Sequence, residues 1–269
     1  KGYVKSMESK VQVAIHQINT GRRLLATVPL KDGELQFEGD FELGGVPGKG
    51  ARIDLNFKDF GGCILNRGVL PTGRAVDRFT VPGIGDLEVS VIDMANLCLF
   101  IRASDIGMDH EQDVVTLQSD RNVVAKLEKI RGAVALELGS MKAENAAEEL
   151  LVSVNPLLFI VGKSRTYQAL SGHLVEGNRF DLFARSITRA AFSKAYPASG
   201  SIATGVGCGI PGTIPAEMLT AFQKVASLYK VRVGHPGGIL EVDTAVRHGE
   251  QKNYVVDSAV VGRTARVLM

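Results

Sequence analysis

Tyr196-Pro-Ala-Ser-Gly-Ser-Ile-Ala-Thr-Gly-Val-Gly-Cys-Gly-Ile-Pro-Gly-Thr-Ile-Pro215 is the stretch around which the chain is organised. A turn cluster from Pro197 to Ser201 opens it, a small, apolar, uncharged run follows, and Pro211-Gly212 breaks it. A helix with so little charge (Ile202, Ala203, Val206, Cys208) has no face for water, so strands are expected to enclose it. Ser199, Gly200 and Ser201 stand where that helix begins. A hydroxyl there caps free N–H groups, and glycine lets a ligand approach the backbone. Such an end carries partial positive charge and unpaired donors, which suits a carboxylate or phosphate. The same residues also read as a core helix whose glycines permit close packing, and the stretch alone leaves both readings open. Gly205-x-Gly207-x-Gly209 is not a dinucleotide fingerprint, because its third glycine comes one residue early and late in the apolar run. No phosphate-binding G-x-x-x-x-G-K-[ST] occurs either.

The chain of 269 residues is long enough for one large or two modest domains. Apolar content of 45% and charged content of 22% are ordinary for a soluble globular protein. A net charge of +2, with lysines and arginines scattered, gives no nucleic-acid signal. No apolar run reaches the roughly 18 residues that span a bilayer, so no membrane partner is expected. The three cysteines, Cys63, Cys98 and Cys208, are far apart and odd in number, which fits a reducing compartment such as the cytoplasm rather than a disulfide framework. C-x-x-C and H-E-x-x-H are absent, and no metal is expected. Lys1-Gly2-Tyr3-Val4 lacks an initiator methionine and leads into a strand, which reads as the middle of a protein.

Val11, Val13 and Ile15 alternate with Gln12, Ala14 and His16, and Asn19-Thr20-Gly21 predicts a turn into a return strand over Arg22 to Leu30. Ile53, Leu55 and Phe57, then Leu87, Val89 and Val91, then Leu97 to Ile101 continue a meander of strands. Asp93 and Asn96, between the last two, read as turn formers bonding nearby backbone. Val123, Leu127, Ile130, Val134 and Leu138 predict an amphipathic helix from about 120 to 138, with a short charged segment from Ala143 to Leu150. Strands are expected at Leu157 to Val161, Asp181 to Ile187, Val231 to Val233 and Ile239 to Val242, a helix at Ala216 to Leu228, and a final strand pair over Tyr254 to Met269. Arg185 and Arg189 are either surface charges or the lining of an anion pocket. His235, in His235-Pro236-Gly237-Gly238, sits at a strand end where the turn is expected to leave its ring projecting. Arg263 and Arg266 place positive charge nearby in sequence.

Several phrases, in order, resemble the PrpF family of methylaconitate and aconitate isomerases and 4-oxalomesaconate tautomerase. They are Gly45-Val46-Pro47-Gly48, Leu70-Pro71-Thr72-Gly73, Ile92-Asp93-Met94-Ala95-Asn96, Arg102-Ala103-Ser104-Asp105-Ile106-Gly107, Arg185-Ser186, Ala195 to Ser201, Ile210-Pro211-Gly212-Thr213, Gly234 to Gly238 and Arg263 to Met269. The resemblance implies an α+β, diaminopimelate-epimerase-like fold of two similar domains, each a curled mixed sheet around a central helix, with the first domain incomplete. It places the remainder of the first domain at 1–103, the second domain at 104–250 with its helix near 199–209, and terminal strands at 251–269. It also implies a cofactor-independent 1,3-allylic proton shift in an unsaturated tricarboxylic acid, with a small anionic acid as partner. The chain is compatible with a homodimer, although no sequence stripe marks one. Ser199, Gly200, Ser201, His235, Met94 and Asn96, together with Arg185 and Ser186, become the candidate substrate contacts.

The family's proton-transfer lysine and its N-C-G-N cysteine lie upstream of the piece matching Lys1-Gly2-Tyr3-Val4, and none of the three cysteines here replaces them. The chain therefore reads as the later two-thirds of such a protein, inactive by itself. The alternative is a non-catalytic fragment or relative of the same fold that binds polycarboxylates. An epimerase of this fold would need a cysteine at each central helix start, and Ser199-Gly200-Ser201 supplies none.

Overall fold

The computed structural model describes residues 8–108, 112–219, 223–225, 228–249 and 254–266. Eleven strands form the main path of one sheet: β1 (Lys10–Gln17), β2 (Arg22–Lys31), β3 (Ile53–Asn56), β4 (Asp77–Val81), β5 (Gly85–Met94), β6 (Asn96–Arg102), β7 (Leu157–Lys163), β8 (Leu182–Thr188), β9 (Leu228–His235), β10 (Gly238–His248) and β11 (Tyr254–Arg263). Their order is β1-β2-β3-β11-β10-β9-β8-β7-β6-β5-β4. The pairs β6–β7 and β8–β9 are parallel and the other neighbours are antiparallel, so the sheet is mixed.

The helices are α1 (Val114–Ser119), α2 (Arg121–Glu137), α3 (Ala146–Val152), α4 (Ala198–Cys208) and α5 (Ile214–Glu217). Every residue of α4 from Gly200 to Cys208 is buried. Its apolar side chains share one core with Ile92, Cys98, Phe159, Val233, Val242 and Val261, contributed by six strands. The enclosure expected from its lack of charge is therefore present, and strands on both sides of residues 103 and 250 wall it. The opposite face of β5 to β8 is covered by α1 and α2, where Val89, Leu99 and Ile160 meet Leu117, Leu127, Ile130 and Val134. That explains the amphipathic period over 120–138. Asp120 starts α2 by accepting from the N–H groups of Asn122 (2.9 Å) and Val123 (3.2 Å).

Glycine is required inside α4 by close approach. A Cβ at Gly205 would stand 2.7 Å from Val242 Cγ1, and one at Gly200 would stand 2.5 Å from Phe159 Cζ. Gly205 faces Val242 and Thr244 while Gly209 faces Val246, so α4 runs along β10 in the same direction. Its N-terminal tip consequently lies toward the start of β10.

Two expectations are corrected. The helix at Ala216 to Leu228 is one turn only, Ile214–Glu217, with the Thr213 side chain accepting from the Ala216 N–H. Gln223–Val225 instead adds a short antiparallel strand to β9 at Leu228 to Lys230. β8 pairs with β9 only around Val233 and Gly234, which leaves that edge open, and its ladder overrides local helix propensity. Residues 220–222 and 226–227 of that segment lie outside the described residues, as do Lys1-Gly2-Tyr3-Val4 and Val267 to Met269. The final pair over Tyr254 to Met269 is a single strand, β11, held between β10 and β3.

Gly205→Leu is expected to destabilise the fold by about 3 kcal/mol through overpacking against Val242 and Thr244. Urea denaturation checks this: the midpoint falls while the m-value stays unchanged.

Candidate active site

The first hydrogen bond within α4 runs from the Ser201 N–H to the Pro197 carbonyl (2.9 Å), and no side chain caps the helix. The amides of Ala198, Ser199 and Gly200 precede that bond, and α4 presents them together at its tip. The hydroxyl cap foreseen at this point is absent. Ser199 Oγ instead accepts from Asn96 Nδ2 at 2.6 Å, which leaves the Ser199 proton for another acceptor. Ser201 is fully buried, and its Oγ donates to the Ala198 carbonyl (2.7 Å). Of the two serines, Ser199 is thus the half-buried one at the tip.

Asn96 reaches Ser199 because the β5–β6 turn is tight, with Ala95 in the left-handed region at φ 61°. Met94, fully buried, precedes it. Asp93 does not bond the backbone of its own turn. Its carboxylate accepts from the N–H groups of Ile64 (3.1 Å) and Leu65 (2.6 Å) and holds the 61–69 loop beside the turn. Burial raises the Asp93 carboxyl above its ordinary value, and those amides work against the rise. No sequence period marks this contact, because its partners lie 28 and 29 residues back.

His235 ends β9 on the α4 face of the sheet, in step with Val231 and Val233. Its ring does not project. It is fully buried and stacked on Tyr196 (centroids 5.9 Å apart, planes at 21°). Pro236 and the paired glycines turn the chain back over it. Gly237 N–H donates to His235 Nδ1 at 3.1 Å. Nδ1 is therefore an acceptor, which assigns the proton to Nε2, and Nε2 has no hydrogen-bond partner among the described residues. Burial, with the Arg263 charge second, lowers the imidazole to about 4, so it is neutral at pH 7. The 43–48 loop rests on the same turn. A Cβ at Gly44 would stand 2.5 Å from the Ile239 carbonyl oxygen, so only glycine fits.

Alternation along β8 separates the remaining two candidates. Ser186 follows Leu182 and Ala184 on the α4 face and is buried. Arg185 follows Phe183 on the other face, its guanidinium 4.8 Å from the Phe183 ring. The structure therefore brings Ser199, Gly200, Asn96, Met94, His235 and Ser186 to the α4 side and leaves Arg185 off it. Arg189 is an exposed turn residue at φ 51°.

The whole chain, residues 1–269, matches the family model described as PrpF protein. The chain belongs to the PrpF family. It is 33% identical to a 3-methylitaconate isomerase of Eubacterium barkeri over 100% of its own length and 68% of that protein. It is also 33% identical to a 2-methyl-aconitate isomerase of Shewanella oneidensis, over 96% of this chain and 64% of that one. The crystal structure of methylitaconate-delta-isomerase superposes with a TM-score of 0.87 at 32% identity, covering 99% of this chain and 66% of that one. A hydroxyproline epimerase from Agrobacterium vitis superposes at 0.52 with 10% identity over 98% of this chain and 60% of its own, a likeness of fold alone. The fold is α+β of the diaminopimelate-epimerase type, and the chain spans about two thirds of the length of these isomerase relatives.

The titration of His235 has a defined sign. Between pH 6.5 and about 4 the unfolded chain holds a proton on this ring that the native state lacks. Stability is thus complete above pH 6.5 and falls as the pH drops toward 4, by up to about 3 kcal/mol from this group. Urea unfolding across that range is expected to show the loss, with a shallower slope in His235→Asn.

Proposed function

We propose that the protein is an isomerase that moves a double bond in an unsaturated polycarboxylic acid of the methylitaconate or aconitate type. The observation that carries this is the uncapped tip of α4, with the Asn96-held hydroxyl of Ser199 beside it, in a member of a family whose similar proteins are named for such acids. The reaction is a 1,3-allylic shift. A base removes a proton from the carbon next to a carboxylate-bearing alkene, negative charge spreads over the conjugated system, and a proton returns two carbons away. Composition does not change, so no cofactor or other reactant is required. The amides of α4 and the hydroxyl of Ser199 are donors suited to a carboxylate whose charge grows as the proton leaves.

The described residues favour charge stabilisation over proton transfer. Burial pushes the Cys63 thiol up to about 11, and it raises Cys98 and Cys208 as well, so none is a ready thiolate. This supports a second reading, in which the chain binds polycarboxylates without turning them over.

Proton NMR in deuterated water separates the two. The complete gene product is expected to exchange allylic protons of 2-methyl-aconitate, methylitaconate or aconitate and to interconvert the isomers. Binding without exchange of any of the three would leave only the second reading. Ser199→Ala should weaken binding about tenfold, the worth of one charge-assisted hydrogen bond.

A further inference from the structure

Arg131, Arg102 and Arg232 are each well supplied with acceptors. Arg131 is fully buried, and its guanidinium donates to the carbonyls of Pro156, Leu150 (3.1 Å) and Ser153 (2.7 Å) and to Glu128 (2.6 Å). Arg102 reaches Glu88, Asp105 and Glu217, and Arg232 grips Asp181. Arg263 differs. It is half-buried, its hydrogen bond goes to the carbonyl of its own neighbour Gly262 (3.0 Å), and no carboxylate pairs with it among the described residues. Desolvation without compensation lowers its guanidinium from the ordinary value.

Strand geometry places this cation. Ala259 and Val261 of β11 face α4, so Arg263 faces the same way. Val261 pairs with Val242 of β10, and Arg263 lies two residues further toward the start of β10. His235 pairs with Gly238 at that same start, on the other side of β10. Arg263 and His235 therefore flank one end of β10, where the tip of α4 also lies.

We propose that Arg263 and the Nε2–H of His235 form a second carboxylate subsite, separate from the tip of α4, which makes the protein selective for acids with at least two carboxylates. An incoming carboxylate gives the guanidinium its missing acceptor and can engage it through two N–H groups. It also gives the buried Nε2–H its partner. A monoacid satisfies either the helix tip or the arginine, not both. The inference deepens the proposed function, naming the anchor that selects its substrates.

Isothermal titration tests it with tricarballylate, an unreactive tricarboxylate, and with propionate. Wild type is expected to bind tricarballylate at least 100-fold more tightly than propionate. Arg263→Gln should lower tricarballylate affinity 30-fold or more, Arg263→Lys should recover part of it, and Arg189→Gln should change nothing. A structural role predicts something different for the ligand-free protein. Arg263→Met should melt no lower than wild type, because it removes an uncompensated charge. Tricarballylate affinity unchanged in Arg263→Gln, no binding by wild type, or a lower melting temperature in ligand-free Arg263→Met would each overturn the subsite. Arg263-dependent binding without any proton exchange would instead refute the isomerase and keep the subsite.

Discussion

The structure depends on burying an uncharged helix at glycine contact distance. An isolated helix like α4 has no solvent face, and its glycines cost helix propensity, so it forms only where strands surround it. The contacts of Gly200 with Phe159, Gly205 with Val242 and Thr244, and Gly207 with Ile92 bring those walls closer than any side chain would permit. The sheet must curl to supply them. Once it does, strand ends from β5, β9 and β11 collect around the helix tip, and residues such as Asn96 and Ser199, more than a hundred apart in the chain, become neighbours.

The same burial sets the electrostatics. Amides at the end of a helix inside a low-dielectric core interact with charge far more strongly than at a surface. Tyr196 stacked on His235 and Phe159 against Gly200 place aromatic surface beside the tip of α4. α1 and α2 pack the outer face of β5 to β8, so the strands bearing Asn96 and Ser186 are held from both sides. That rigidity suits a site whose donors must be in place before charge develops.

Much of this was legible in the sequence because it is local. The β1–β2 hairpin follows from Asn19-Thr20-Gly21, α2 from a 3.6-residue period, and the enclosure of α4 from its composition. What was not legible depended on distance. Asp93 looked like a turn former, yet its partners are in a loop that only the folded sheet brings close. Segment 223–225 became strand because β9 offered an unpaired edge, which no local pattern records. Arg185-Ser186 matches the family phrase as a pair, yet neighbours in a strand face opposite sides, and only Ser186 lies on the α4 face. The same alternation, applied to Ala259, Val261 and Arg263, puts Arg263 on the α4 face of the sheet.

Taken together, the groups around the tip of α4 share one property: each favours a negative partner and none carries a mobile proton at neutral pH. His235 is neutral with a fixed donor, Arg263 is a permanent cation, and the amides and Asn96 do not titrate. Asp93 is occupied with Ile64 and Leu65. On the proposed reaction, this half of the chemistry is therefore substrate holding and charge stabilisation. Separation of that task from proton movement has a physical advantage, since a base placed among these donors would be drawn into hydrogen bonds with them and lose its basicity. A proton-carrying group is best presented from across the ligand, where the electron-rich carbon, rather than its carboxylates, is exposed.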